Sequence, residues 1–573
     1  MRPARAEPRW AQFTIASLGV LLASADTYVV VLALPDIMTG VGLGVDELQR
    51  ATPIVSAFLL GYVVVLPLIG RLSDLHGRVP VLTGCFAVFA LGSLCTASGQ
   101  ELGLVVTGRA LQGVGAGGLV PATLALVADR WEPERRGLPL GLVGAVQEVG
   151  TVLGPLFGGA VLAVSGWRTI FWVNLAGAVL LGAVLLALTV PAAGARRRVP
   201  VVGAVLGLLG LTGLVLAVTA PSALVADVTF GAVYVPTLFD AAWTSPLAIV
   251  TAVLVLAAAV RLSDRASLSR LLTEADLLGA ILVGLALTGV VLAFATADPS
   301  RQAASDQAPL LLTGSVVCIV LFVVRQRHTD HPLVPLHALN EPAAKGALAV
   351  NFFVGAALVA ALVNVPIFAR ATRYPDSQLG ASLVLVQLLV ALPVGAVLGG
   401  WLCGRTRPRV VAAAGMALAA VGFVAMAQWD SRALDGPGST AALLATGLGF
   451  GLTIAPVNVA LLAATRAAVH GVATALVVVA RTVGMLVGLS ALTAVGLRVF
   501  YAEQRAIGTP LTLCPTSPGD CPVYEAATRA ALIIELQAIF WSAALCAAIA
   551  ALLALLLLAP SRDKVSAREI QTV

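Results

Sequence analysis

Residues 54–98 read IVSAFLLGYVVVLPLIGRLSDLHGRVPVLTGCFAVFALGSLCTAS, which is two long apolar runs separated by the short polar segment 70–78. A membrane-spanning helix needs about 20 mostly apolar residues, and each run with its flanks supplies that length. The polar segment contains two glycines and is long enough only for a tight connection. This stretch therefore predicts two transmembrane helices, 47–69 and 79–98, joined by a turn.

The rest of the chain has the same character. Of its 573 residues, 59% are hydrophobic and 11% are charged, and the mean hydropathy is +0.98. Soluble domains average about 25% charged residues, so no water-soluble fold could bury this much apolar surface. The net charge of +6 comes from basic residues in short loops between apolar runs. That placement indicates membrane topology and excludes nucleic acid as an expected partner.

Segments that meet the length rule fall into groups of six, four and six. The predicted fold class is an all-α polytopic membrane protein with two six-helix bundles and four extra linker helices. The predicted domains are an N-terminal bundle (1–195), a linker with two helical hairpins (196–340), a C-terminal bundle with a long extracytoplasmic hairpin near 495–530 (341–560), and a cytoplasmic tail (561–573). The predicted spans are 11–38, 47–69, 79–98, 102–128, 138–164, 168–190, 201–219, 246–262, 276–297, 309–325, 343–369, 377–403, 409–428, 440–465, 470–500 and 525–558.

The linker contains an internal repeat. Residues 203–220 align without gaps on 279–296, and both copies contain Leu-Thr-Gly. Each copy is followed by a second apolar helix that begins with Ser-Pro or Ala-Pro. Tandem duplication of a helical hairpin explains the pattern, and convergence of Leu/Gly/Ala-rich membrane sequence is the alternative. Either origin gives an even number of linker helices, so both six-helix groups begin on the same side of the membrane.

Basic residues and cysteines indicate which side each loop occupies. With the N-terminus inside, the predicted inner loops and tails hold most of the 35 Lys and Arg residues, so both termini are expected in the cytoplasm. The first apolar run continues beyond a signal-peptidase-like Ala-Ser-Ala to about Met38, which predicts a retained helix. Cys514 and Cys521 flank a polar turn in a predicted extracytoplasmic loop, where a disulfide can persist.

The charged side chains of Asp26, Arg109, Glu148 and Arg481 lie deep inside predicted membrane helices. Burying an ionised side chain at the membrane centre costs about 2.5–3.5 kcal/mol on insertion scales, so these residues need partners and usually have a function. An acid that pairs with a cation in only one conformation would couple proton binding to a change of shape. The alternative is permanent ion pairs that only fix helix packing. A contact between Asp26 and Arg481 is one hypothesis for the pairing.

Helix 138–164 contains the run GTVLGPLFGG, in which small residues recur at a spacing that permits close helix contact. The proline in this run removes one backbone hydrogen bond, so the segment is suited to bending and sealing. The alternative is generic packing of small residues. The run comprises Gly150, Gly154, Pro155, Gly158 and Gly159.

The polar segment 70–78 is a candidate gating element. Gly70 and Gly77 allow a tight turn, and Asp74 is placed to pair with Arg71, Arg78 or a neighbouring helix N-terminus. Such contacts would form a latch if they were made in one conformation and broken in another. A solvated turn is the alternative.

These motifs resemble those of the major facilitator superfamily. Segment 70–78 resembles the signature loop of that family, G-x-L-x-D-x-x-G-R, and Arg109-x-x-Gln112-Gly113 resembles its second motif. The run 150–159 resembles the antiporter motif of its exporters. Asp26-Thr27 followed by Leu-Ala-Leu-Pro is similar to the first-helix motif of the fourteen-helix drug:proton antiporter branch.

One sub-branch is more similar still. Glu148, the VVVARTVGMLVG run with Arg481, and the long last hairpin resemble actinobacterial exporters of triacylglycerides and lipoglycans that were once classed as multidrug efflux pumps. The resemblance implies a proton-coupled antiporter in the plasma membrane that exports lipophilic molecules by alternating access, with a proton gradient and no cofactor. The chain departs from the pattern by its second linker hairpin, which leaves the role of that region open.

The resemblance also implies a central cavity lined by the first and fourth helices of each bundle. Few polar side chains fall there, which favours a lipid or an amphipathic drug over a sugar. Lipid export, for example of triacylglycerides or lipoglycan precursors, is expected, and efflux of amphipathic drugs and dyes stays an alternative. The candidate cavity residues are Thr27, Gln112, Asn351, Asn364 and Asn458.

Other classes of protein fit less well. All five histidines fall in predicted cytoplasmic loops without forming a metal-ligand set, and no ATP-binding G-x-x-x-x-G-K-[ST] loop is found. A lipid-modifying enzyme and a non-transporting scaffold are therefore weaker interpretations, and we expect no metal. The expected partners are the lipid bilayer, the lipophilic cargo and, as a candidate for the long outer hairpin, a periplasmic lipid-carrier lipoprotein; the expected state is a monomer.

Overall fold

The computed structural model describes residues 9–43, 48–188, 206, 209–210, 212–213, 216, 231–235, 245–262, 276–295, 307–330, 332–334, 340–375, 377–514 and 521–558. Within these ranges the regular secondary structure is helical. Six helices occupy the N-terminal region at the predicted positions. They are α1 (Arg9–Gly40), α2 (Leu48–His76), α3 (Arg78–Ser98), α4 (Leu102–Arg130), α5 (Gly137–Val164) and α6 (Arg168–Ala187).

Seven helices follow the linker region, six of them long. Prolines at the first or second position begin most of them, because the missing N–H of proline has no intrahelical partner there. They are α10 (Pro342–Ala371), α11 (Gln378–Leu402), α12 (Pro408–Met426), α13 (Pro437–Ala464), α14 (His470–Ala506), the short α15 (Pro510–Leu513) and α16 (Pro522–Leu557).

Three linker helices are described: α7 (Pro246–Leu262), α8 (Leu277–Ala295) and α9 (Ala308–His328). The predicted span 201–219 lies largely outside the described residues. In both segments that contain Leu-Thr-Gly, the glycine of this tripeptide contacts a hydroxyl side chain of the helix that follows. Gly213 lies against Thr251, and Gly289 lies against Ser315. Duplication of a hairpin therefore stays a prediction, with chance similarity as the alternative.

Asp276 anchors the second linker hairpin. Its carboxylate accepts hydrogen bonds from Arg325 Nε at 2.7 Å, from Gln326 Nε2 at 2.6 Å and from the backbone N–H of Gly279 at 3.0 Å. The side chain of Asp276 is fully buried, so each of these donors satisfies an acceptor that water cannot reach. The start of α8 and the end of α9 are therefore held together by one carboxylate.

Twelve of the described helices are long and apolar enough to cross a membrane. They comprise α9 and eleven helices of the two six-helix groups. The chain is therefore a multi-pass membrane protein of the predicted all-helical class. Helices α1, α7 and α8 occupy three further predicted positions.

The helices cluster into two compact units. One contains Met1–Thr123, Leu153–Gly284 and Phe322–Val334, and the other contains Leu124–Val152, Leu285–Leu321 and Pro335–Val573. Helix α5 contributes to both units, with Val152 the last residue in one and Leu153 the first in the other. The division of the chain at 195 and 340 stays a prediction.

Helices α14 and α16 contain 37 and 36 residues. At about 1.5 Å per residue each is roughly 55 Å long, well beyond the roughly 30 Å of a hydrocarbon layer. The two helices pack against each other, with Gly496 of α14 beside Ile539 of α16. Between them Cys514 and Cys521 form the predicted disulfide.

The disulfide provides a test of topology. We expect that Cys514 and Cys521 resist a membrane-impermeant thiol reagent on intact cells and become labelled after mild reduction, because only an oxidising outer compartment maintains the bond. Labelling is measured by mass spectrometry, with buried Cys85 as the unreactive control. Labelling of both residues without reduction, or from the cytoplasmic side only, would contradict the proposed orientation.

Candidate functional site

A buried ion pair joins α1 to α4. Asp26 Oδ2 accepts a hydrogen bond of 2.7 Å from Nη1 of Arg109, and the two residues are 1% and 0% exposed. Bonds between two ionised groups are shorter and stronger than neutral ones, which offsets part of the cost of burying both charges. The structure thus brings together two of the four charged residues that the sequence singled out.

The guanidinium of Arg109 has further contacts that hold it in place. Its Nε donates to the backbone carbonyl of Ile54 at 3.3 Å, and its Cζ lies 4.4 Å from the ring centroid of Phe58. A cation over an aromatic face is stabilised by the ring quadrupole, more strongly when water is excluded. Helix α2 therefore supports the cation, and Arg109 does not depend on Asp26 alone.

Gln112 lies one turn beyond Arg109 and is held at both ends of its carboxamide. Its Nε2 donates to Ser93 Oγ at 3.0 Å and more weakly to Asp26 at 3.4 Å. Its Oε1 accepts from Arg109 at 3.1 Å and from Thr96 at 3.2 Å. Gln112 is fully buried within this network, so its part in a cargo cavity stays a prediction.

Asn174 of α6 completes the shell of Asp26. Its Nδ2 donates to Asp26 Oδ1 at 2.6 Å, and the residue is 3% exposed. Sequence reasoning missed this residue because neutral polar groups were sought only in the helices expected to line the cavity, and α6 is not one of them. A carboxamide in the middle of the apolar run of α6 was the available signal, since polar side chains within membrane helices usually bond to another helix.

The glycine-rich run of α5 packs directly against α1 beside Asp26. A Cβ at Gly154 would collide with the backbone carbonyl of Ala25, and one at Gly158 would meet the side chain of Val29. The two glycines are four residues apart on α5 and face two α1 residues four apart, as expected for close contact between small faces. Pro155 lies on the exposed side of α5, away from this contact.

Glu148, on the earlier part of α5, pairs with Arg481 of α14. The Nη2–Oε1 distance is 2.6 Å, and the side chains of Glu148 and Arg481 are 4% and 18% exposed. Gly355 of α10 lies against the backbone carbonyl of Arg481, which fixes that part of α14. The carboxylate of Asp26 is bound by Arg109, Asn174 and Gln112. The hypothesised contact between Asp26 and Arg481 stays a prediction.

The predicted gating segment 70–78 is mostly helical. Helix α2 continues through Gly70 to His76 and ends at Gly77, whose φ of 87° is a conformation that glycine adopts readily. Arg78 then donates to Asp74 at 2.5 Å and to Ser73 at 2.9 Å. The predicted Asp74–Arg78 pair is therefore present. The predicted extent of the turn, 70–78, is wrong, because the α2 backbone stays helical to His76.

Comparison with known proteins identifies the fold. The family model of the Major Facilitator Superfamily matches residues 16–304, half of the chain. The chain belongs to the major facilitator superfamily. The solved structures it resembles include the proton:xylose symporter XylE (TM-score 0.53, 14% identity, 95% of this chain and 94% of that one) and the human organic anion transporter MFSD10 (TM-score 0.50, 16% identity, 95% and 100%).

Related major facilitator proteins extend over most of the chain. A triacylglyceride transporter of Mycolicibacterium hassiacum is 34% identical over 536 residues, covering 91% of this chain and 85% of that protein. A triacylglyceride transporter of Mycobacterium tuberculosis is 34% identical over 499 residues, covering 84% and 82%. The protein is therefore a membrane transporter by family and by fold.

The candidate cavity residues of this superfamily member use their polar groups locally. Asn351, Asn364 and Asn458 are buried and donate to backbone carbonyls one turn earlier in their own helices. Thr27 likewise bonds to the carbonyl of Ala23. Each asparagine thus uses one of its two N–H groups within its own helix, and Oδ1 of Asn458 is buried without a hydrogen-bond partner among the described residues.

The packing of α5 on α1 gives a mutational test. Gly154→Ala should lower the free energy of unfolding by about 1–3 kcal/mol, because the new methyl group meets backbone that cannot rotate away. The matched control is Gly84→Ala in α3, where a Cβ meets open space. Thermal unfolding of the purified proteins in detergent compares the two. Equal melting temperatures for both variants would contradict the proposed close contact.

Proposed function

We propose that this protein is a proton-coupled antiporter that exports lipids such as triacylglycerides across the plasma membrane by alternating access. The observation that carries the proposal is the buried Asp26–Arg109 pair with its surrounding carboxamides. A carboxylate inside a transporter helix can bind a proton, and few other side chains among the apolar helices can. Asp26 is accordingly the proposed coupling residue.

Proton binding would change the force between α1 and α4. The pair is held by charge, so neutralising Asp26 removes the attraction while Arg109 stays positive against the ring of Phe58. An unpaired buried cation is unstable, so the network must rearrange or admit water. Conformations that differ in this contact would then differ in proton affinity, which is the requirement for coupling.

The Glu148–Arg481 pair is the proposed second element. It joins α5 to α14 as the first pair joins α1 to α4, and Arg481 is the more exposed member. Binding of a proton by Glu148 would weaken this ion pair in the same way, because it removes the negative charge. Helix α5 also packs its glycines on α1 next to Asp26. A movement of α5 would therefore displace Glu148 and change the packing beside Asp26.

A lipophilic cargo is supported by two observations. The relatives at 34% identity, matched over more than four fifths of their length, are named triacylglyceride transporters. In addition, each of the three buried asparagines of α10 and α13 uses one of its two N–H groups within its own helix, which leaves few polar groups for a cargo along these long apolar helices. Sugars would require more convergent hydrogen-bonding groups.

The remaining assignments belong to the same proposal. Both termini lie in the cytoplasm by the distribution of basic residues, and the α14–α16 hairpin with its disulfide projects outward. That hairpin is the proposed contact for a lipid-carrier lipoprotein. The transporter acts as a monomer and draws its energy from the proton gradient without a cofactor.

Transport by purified protein in liposomes tests the proposal. With a fluorescent triacylglyceride as cargo, an imposed proton gradient should drive transport by the wild type, and a protonophore should abolish it. Asp26→Asn and Glu148→Gln should reduce the gradient-driven component to the level of empty liposomes, because neither amide binds a proton. Glu535→Gln, the same change on an acid outside both pairs, should retain it.

Undiminished gradient-driven transport by Asp26→Asn would show that Asp26 does not couple. If the same liposomes transported an amphipathic dye but not the triacylglyceride, the result would contradict lipid export and support drug efflux. Lipids that co-purify with the wild type, measured by mass spectrometry, identify the natural cargo.

A further inference from the structure

The two oxygens of the Asp26 carboxylate face different kinds of donor. Oδ2 is held by the guanidinium of Arg109 at 2.7 Å. Oδ1 is held by the carboxamide of Asn174 at 2.6 Å, with Gln112 more distant at 3.4 Å. A guanidinium can only donate hydrogen bonds, whereas a carboxamide carries both a donor and an acceptor. Oδ1 is therefore the oxygen that can accept a proton without placing two donors against each other.

The two carboxamides differ in their freedom to respond. Gln112 has partners on both its nitrogen and its oxygen, so turning it would break bonds to Ser93 and Arg109. Within the described part of the chain, the Asn174 carboxamide donates to Asp26. Asn174 can thus rotate its amide half a turn and present oxygen where it presented nitrogen.

We infer that Asn174 is a positioning residue that sets when Asp26 takes up its proton. It donates to Oδ1 while the carboxylate is ionised. When a proton binds Oδ1, the carboxamide rotates and accepts the new O–H, so the carboxyl group stays hydrogen-bonded in both states. The inference deepens the proposed coupling function and rests on it.

In the part of the chain that the structure describes, Arg109 is the charged group that contacts Asp26. Helix α2 contributes the Ile54 carbonyl and the Phe58 ring to that site, and α3 contributes two hydroxyls. Helix α5 contributes glycine backbone next to Ala25. Asn174 is therefore placed to modulate the proton affinity of Asp26, which is otherwise set by the charge of Arg109.

Infrared spectroscopy of the purified protein tests the inference without a transport substrate. The absorption band of a protonated carboxylic acid is followed through a pH titration, and the band lost in Asp26→Asn belongs to Asp26. In Asn174→Leu the titration midpoint should rise by about one pH unit, because the ionised form loses a charge-assisted bond and the protonated form only a neutral one. Asn174→Ala should shift the midpoint in the same direction if leucine prevents folding.

Gln537→Leu is the matched control, since it removes a carboxamide that bonds to Trp429 and not to Asp26. It should leave the midpoint unchanged. An Asp26 band whose midpoint is the same in the wild type, Asn174→Leu and Asn174→Ala overturns the role of Asn174 and leaves the coupling function standing. Absence of any titrating band that depends on Asp26 overturns the coupling function itself.

Discussion

An ionised side chain inside a membrane must have a partner, and this constraint organises the helices around Asp26 and Glu148. Each acid takes a cation from a distant part of the chain, Arg109 and Arg481 respectively, at 2.7 and 2.6 Å. Each bond therefore joins two helices that local sequence does not connect. Because the strength of the bond depends on charge, a single proton can alter the packing of two helices.

Close backbone packing makes these bonds sensitive to small movements. Gly154 brings α5 against the carbonyl of Ala25, the residue before Asp26, and Gly355 brings α10 against the carbonyl of Arg481. Where two backbones touch, neither helix can shift without displacing the charged group beside it. Packed interfaces of this kind change between discrete arrangements and do not deform continuously, as the proposed alternating access would require.

Much of the fold follows from the sequence, because run length and the placement of basic residues are local properties. The rarity of charge in apolar helices likewise identified Asp26 and Arg481 without coordinates. Their partners could not be predicted, since pairing depends on the rotation of each helix about its axis. Asn174 was missed because neutral polar groups were sought only in the helices expected to line the cavity, and its contact with Asp26 appears only when α6 is packed beside α1.

A double-mutant cycle on Asp26 and Arg109 tests the central claim most directly. Asp26→Asn and Arg109→Gln, singly and together, are compared with the wild type by the free energy of unfolding of the purified protein. Each single change should cost about 3–5 kcal/mol because it leaves the other charge or its hydrogen bonds uncompensated, and the double variant should recover most of that loss. Costs that simply add in the double variant would show that the two residues do not form the charge pair on which the account depends.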